Sequence, residues 1–148
     1  MGTEILELEG KELTTKLNEF FRKAYSVELA YLFGSHAKGK QGPLSDIDIG
    51  VYLSGNLSKK ERFEKRLELI ASLCTLLQTN KVDLVVMNDA SPVLNFEIIE
   101  PNCLVFEKDH SIKLKVEPYI MSSYCDRKYH EDFLNREFVK RFKERGFS

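Results

Sequence analysis

Asp46 and Asp48 stand two residues apart where an apolar run, Ile47 to Leu53, begins. On a strand that spacing turns both carboxylates to one face. Two anions side by side repel, and a folded chain seldom keeps such a pair near its core without a counter-charge. For hard oxygen ligands the usual counter-charge is a divalent cation such as magnesium. Asp48 lies within the apolar run, where solvation explains little, whereas Asp46, directly after Ser45, also reads as a solvated turn residue. A third acid, Asp83, interrupts the apolar run Val82 to Met87, and its other reading is an exposed strand face. Upstream, Leu29 to Phe33 forms an apolar strand that ends at Gly34-Ser35. Free backbone N–H groups and a hydroxyl there suit phosphate oxygens, and a capping role for Ser35 uses the same geometry. A phosphate cradle followed by metal-binding carboxylates points to chemistry on a nucleotide.

The same glycines offer a false lead. Gly34-Ser-His-Ala-Lys-Gly39-Lys40 fits a Walker A loop until its last position, where Gln41 replaces the Ser or Thr that binds magnesium. Gly42 and Pro43 follow, and they break the helix that such a loop must open. The P-loop reading is rejected.

Gly34-Ser35, the ten residues His36 to Ser45, then Asp46-Ile47-Asp48, with Asp83 on a later strand, is a pattern that resembles the DNA polymerase β-like nucleotidyltransferase superfamily. Within it, the chain is most similar to the minimal nucleotidyltransferases, over roughly Leu13 to Phe106 and more weakly in the C-terminal helix. Lys38 departs from the pattern. Many relatives carry arginine there, and lysine keeps the charge but loses the planar fork, which loosens any phosphate contact. The resemblance implies that Asp46, Asp48 and Asp83 are the catalytic residues and the ligands of two magnesium ions. It implies that Gly34, Ser35, Lys38 and Ser45 bind a nucleoside triphosphate, with ATP as donor. An acceptor hydroxyl would then attack the α-phosphorus in line and release pyrophosphate. Minimal nucleotidyltransferases often pair with HEPN proteins, helical RNases, as toxin–antitoxin systems. The expected function is therefore an antitoxin that transfers AMP to a tyrosine of a HEPN toxin and forms a hetero-oligomer with it. Two other readings stay open: transfer to a small molecule of the aminoglycoside type, and a non-catalytic antitoxin that masks its partner.

The elements that must position these groups follow from periodicity. Glu12 to Tyr25 reads as a helix, with Leu13, Leu17, Phe20, Phe21 and Ala24 on one stripe. Leu29–Phe33 and Ile47–Leu53 are strands, the second packing Ile47, Ile49 and Val51 opposite the aspartates. Ser58-Lys-Lys-Glu61 is a capping box and opens a helix to about Gln78, with an expected buried stripe of Phe63, Leu67, Ile70, Leu73, Cys74 and Leu77. Val82–Met87 is the third strand. Ser91-Pro92 starts a short helix, Cys103–Phe106 is a short strand at a sheet edge, and Tyr119 to about Lys143 is a long helix. Tyr124, Phe133, Phe138 and Phe142 are expected to supply its large apolar contacts. The sum is an α/β fold: a mixed, twisted sheet of about four strands, covered mainly on one side, with a long C-terminal helix. The expected organisation is one domain, residues 1–148, with a catalytic core at 12–107 and a helical extension at 108–148.

Composition sets the remaining bounds. The chain has 148 residues and a net charge of −1, so no global basic field draws nucleic acid to it. Cys74, Cys103 and Cys125 lack zinc spacing and read as reduced thiols. His36 tempts as a general base but reads as a loop residue, and His110 and His130 have no ligand spacing. The basic cluster Arg136, Lys140, Arg141, Lys143 and Arg145 reads as a solvated helix face, with docking to an acidic partner as its alternative. No apolar run is long enough for a bilayer, and no signal peptide pattern opens the chain, so a cytoplasmic location is expected.

Overall fold

The computed structural model of the protein describes residues 2–37 and 46–144, including all side chains there except those of residues 2–9 and 36. In chain order the elements are α1 (Gly2–Arg22), β1 (Val27–Phe33), the single turn α2 (Gly34–Ala37), β2 (Ile47–Leu53), α3 (Lys59–Leu77), β3 (Val82–Val86), a 3-10 turn (Met87–Asp89), α4 (Pro92–Ile99), β4 (Leu104–Glu107) and α5 (His110–Glu144). The strands form one mixed sheet in the order β3-β2-β1-β4. β1 runs antiparallel to both β2 and β4, and β2 runs parallel to β3. The parallel pair exists because α3 carries the chain back across the sheet.

Alternation along the strands splits the core in two. Ala30, Leu32, Ile49, Val51 and Leu84 meet Leu17 and Phe21 of α1 and Leu69 and Leu73 of α3. Leu29 and Tyr31 on the other face meet Ile98 and Ile99 of α4 and Val116 and Ile120 of α5. Helices therefore cover both faces, not mainly one. The apolar runs of β1 carried that information, since a strand buried on both sides has no polar face to alternate with.

The capping box forms as its residues require. The Ser58 hydroxyl accepts from Glu61 N–H at 3.2 Å, and Ser58 N–H donates to the Glu61 carboxylate at 3.3 Å. The buried stripe of α3 differs from the expected one. Leu69 and Leu73 are buried, but Phe63 is 58% exposed and Leu67 49%. At the N-terminal end of α3 the inward positions belong to arginines. Arg62 grips Asp89 through two hydrogen bonds of 2.9 and 2.7 Å, and Arg66 donates to the Leu84 carbonyl at 2.8 Å. Two guanidiniums with carbonyl and carboxylate partners displace the aromatic outward.

α5 begins at His110 rather than near Tyr119, so Pro118 lies inside it. An interior proline costs a helix about 3 kcal/mol. Contacts on either side offset that cost: Val116 and Ile120 are buried, and the Tyr31 hydroxyl donates to the Glu117 carboxylate at 2.7 Å. One turn on, Tyr124 stacks on Phe96 with ring centroids 4.1 Å apart. Past Tyr124 the helix leaves the body. Phe133, Phe138 and Phe142, expected as packing residues, are exposed, although Phe138 and Phe142 stack on each other. Other boundaries shift as well: α1 runs Gly2–Arg22 rather than Glu12 to Tyr25, β1 starts at Val27, β3 hands Met87 to the 3-10 turn, and β4 moves one residue on to Leu104–Glu107. Among the described residues, no helix is long and apolar enough to cross a membrane.

Candidate functional site

The register of the parallel pair places Asp48 opposite Asp83. Neighbouring strands stand about 4.8 Å apart, so the two side chains leave the sheet from adjacent positions on one face. That is the face covered by α4 and α5, and coverage starts one pleat further along β2. A Cβ on Gly50 would stand 2.6 Å from Ile98 Cγ2, so α4 comes down onto the strand there and only glycine admits it. Asp48 is half-buried at the border of that cover, and Asp83 is exposed beyond it. Asp46 is exposed, one residue ahead of β2.

On the other side of Asp48, Phe33 of β1 is its register partner, and Gly34 follows with φ of +70°. A Cβ on Gly34 would overlap the Asp48 carboxylate and lie 3.2 Å from its Cγ. Both the backbone angle and the close approach require glycine. The Gly34-Ser35 turn is thus pressed against the carboxylate, and the two halves of the sequence motif are joined in space. Ser35, half-buried, is the second residue of α2, directly after that contact. Lys38 and Ser45 lie outside the described residues, as does the side chain of His36.

Arg66 attends the far side. Anchored on the Leu84 carbonyl, its guanidinium comes within 3.9 Å of the Asp83 carboxylate. Arg66 is half-buried and Asp83 exposed, and at that distance the pair contributes at most about 1 kcal/mol and leaves Asp83 open to a stronger counter-charge. The donor set suits a hard divalent cation: carboxylate oxygens on paired strands, one held against a glycine turn. Among the described residues, no three ligating side chains stand close enough together to hold a metal ion. Asp48 and Asp83 supply the paired positions, and Asp46 sits at the rim.

Several residues that brace the sheet and its helices gave no signal as chemistry. Asn88 pairs its amide with both backbone groups of Leu53, at 2.9 and 3.0 Å, extending the ladder past the end of β3. Arg62 ties α3 to Asp89, and its hydrogen bonds hold the Asp89 carboxyl below the usual range. Burial, then the Glu117 hydrogen bond, pushes the Tyr31 hydroxyl far above its ordinary value. The one hint in the sequence was the i, i+4 spacing of Arg62 and Arg66, which puts both on one side of the helix.

Comparison with known proteins agrees with this geometry. The family described as "Polymerase beta, Nucleotidyltransferase" matches residues 15–111. A protein named "Protein adenylyltransferase MntA" from Shewanella oneidensis is 37% identical over 73 residues, 49% of this chain and 49% of that protein. The match thus spans about half the length of that relative. A "Putative protein adenylyltransferase" from Methanocaldococcus jannaschii is 40% identical over 77 residues, 52% of this chain and 74% of the relative. Among solved structures, a toxin–antitoxin complex with AMP-PNP contains a chain of 26% identity and TM-score 0.58, covering 77% of this chain and 87% of that one. The complex of tri-AMPylated S. oneidensis HEPN toxin with MNT antitoxin shares the fold, at 22% identity and TM-score 0.58, over 90% of this chain and 98% of that one. A β2–β3 pair with facing acids, a glycine-serine turn against the first of them, and a matching family over residues 15–111 agree: the chain belongs to the polymerase beta nucleotidyltransferase family.

Proposed function

We propose that this protein transfers AMP from ATP to a tyrosine hydroxyl of a HEPN-domain RNase and so silences it, as the antitoxin of a toxin–antitoxin pair. The observation that carries the reading is the placement of Asp48, which touches the Gly34-Ser35 turn and faces Asp83 across the parallel ladder. The names of the similar proteins support the activity, and the complexes of the same fold support the partner and the nucleotide.

In this reading Gly34 and Ser35, with Lys38 and Ser45 from the loop, hold the triphosphate. Asp46, Asp48 and Asp83 are the residues that would hold two magnesium ions, which when bound stabilise the attacking and leaving oxygens of an in-line displacement. The acceptor oxygen forms a bond to the α-phosphorus, and the bond from that phosphorus to the bridging oxygen of the β-phosphate breaks. Pyrophosphate departs and the hydroxyl proton passes to Asp83. Gly34 keeps the Asp48 carboxylate within reach of the phosphates, and Arg66 restrains Asp83 at the edge of the sheet.

Incubation with α-labelled ATP, magnesium and a HEPN-domain RNase tests the proposal. Label is expected on a toxin tyrosine, with RNase activity lost in step. The double substitution D46N/D48N should abolish labelling while the folded chain persists by circular dichroism. Retained labelling in that variant refutes the assignment of the acids. Label appearing on an aminoglycoside instead of the toxin replaces the acceptor.

A further inference from the structure

We infer that the groove along the outer edge of β3 seats the extended, tyrosine-bearing segment of the protein acceptor, with Phe63 as its apolar anchor. The inference deepens the proposed transfer reaction and rests on Asp83 being its acid.

The groove has a volume of about 420 Å³ and starts at Asp83. Its floor is β3 from Asp83 to Val86, and Phe63 and Arg66 of α3 stand on one wall with Leu94 of α4 on the other. Four consecutive strand residues make a trough about 10 Å long, at about 3.3 Å each. By the same spacing that is the span of about four residues of extended chain.

Among the described residues β3 is an edge strand. Ile47 N–H donates to the Lys81 carbonyl at 2.8 Å, which fixes the phase of the ladder. Lys81, Asp83 and Val85 turn their backbone groups toward β2, and Val82, Leu84 and Val86 turn theirs outward. The outward Leu84 carbonyl takes the Arg66 guanidinium. The outward N–H groups of Leu84 and Val86 border the trough. A strand edge with such groups is the usual seat of an extended peptide, where main-chain hydrogen bonds give affinity and side-chain pockets give selectivity.

Phe63 supplies the pocket. It is 58% exposed on a helix that buries Leu69 and Leu73 further along, and it borders this trough. Covering a ring of that size releases water from a large apolar face. A strand edge with outward N–H groups pairs with a peptide main chain, which a small polyhydroxyl acceptor lacks. Continuity with Asp83 settles the direction: a tyrosine on a segment lying here brings its hydroxyl to the end where the proton acceptor stands.

The test compares Phe63→Ala and Phe63→Lys with Leu67→Lys, one turn further along α3, similarly exposed and outside the groove. The assay is labelling of the HEPN acceptor by magnesium and α-labelled ATP, with nucleotide affinity measured separately by calorimetry. Both Phe63 variants should raise KM for the acceptor at least tenfold and leave ATP affinity within twofold, while Leu67→Lys matches the wild type. A benzoylphenylalanine at position 63 should crosslink to the acceptor beside the modified tyrosine. Wild-type labelling with unchanged KM in Phe63→Lys overturns the groove and leaves the reaction standing. No labelling by the wild type overturns both.

Discussion

Gly34 carries two constraints at one atom. Its φ of +70° suits a residue without Cβ, and its Cα leaves no room for one beside the Asp48 carboxylate. Gly34→Ala is expected to push the carboxylate aside and lower transfer at least tenfold, with the Tm reduced by only a few degrees. Labelling rates beside thermal unfolding curves check this, and a variant active at the wild-type rate would show that the contact is dispensable. Arg62 and Asp89 make a second residue-level case. Asp89 titrates below its ordinary value because Arg62 donates to it, so the stabilisation is present above the unfolded carboxylate's pKa, about 4. It is lost as pH falls through the lower folded value. Asp89→Asn should therefore lower Tm by about 3 °C at pH 7, for a loss near 1 kcal/mol in a chain of this size. The gap between variant and wild type should close once the pH has fallen through that lower folded value. A gap that persists in acid would assign the effect to packing.

Element by element, the fit of sequence to structure depends on which force decides. β2 runs from Ile47 to Leu53 as expected, and the capping box opens α3 where Ser58 and Glu61 demand. Both are local: alternation in one case, side-chain hydrogen bonds to free N–H groups in the other. The start of α5 was hidden by Pro118, whose local penalty argued for a boundary that tertiary contacts override. The stripe of α3 was misread because Phe63 and Leu67 are apolar and the arginines are not. Inside the fold, however, a guanidinium that finds Leu57, Leu84 and Asp89 oxygens is the better inward residue. Asp48 and Asp83 stood out as acids interrupting apolar runs, and those runs are β2 and β3, whereas Asp46, expected on the strand beside Asp48, falls one residue ahead of it. The cross-strand pairing of Asp48 and Asp83 was not legible, because register depends on α3 and no local signal records it. Gly50→Ala forces Ile98 off β2, and overpacking of this sort costs about 1–3 kcal/mol, which urea denaturation would register as a lower midpoint at constant slope.

The molecule as a whole consists of a two-sided sheet with a helical arm extending from it. Tyr124 is the last α5 residue to stack on the body, and the side chains from Cys125 to Glu144 are exposed save the half-buried Glu137. Shortening the chain after Lys128 should therefore leave the thermal midpoint within about 2 °C, since little apolar area returns to water. Differential scanning of the shortened chain measures this, and a large drop would mean that the arm is held by a second chain in solution. The arm's exposed Phe133 and Phe138 alternate with Arg136 and Lys140, so the basic cluster read from the sequence sits among apolar side chains rather than on a purely polar face.

Parallel neighbours cannot be joined by a hairpin, so Asp48 and Asp83 become neighbours only after α3 has wrapped and docked. Antiparallel β1, β2 and β4 make no such demand on that helix. A chain clipped or melted within residues 59–77 would keep every acid of the site and still lose their adjacency. On the proposed reading, competence therefore hangs on a single crossover, which also packs Leu69 and Leu73 against β1 and β2.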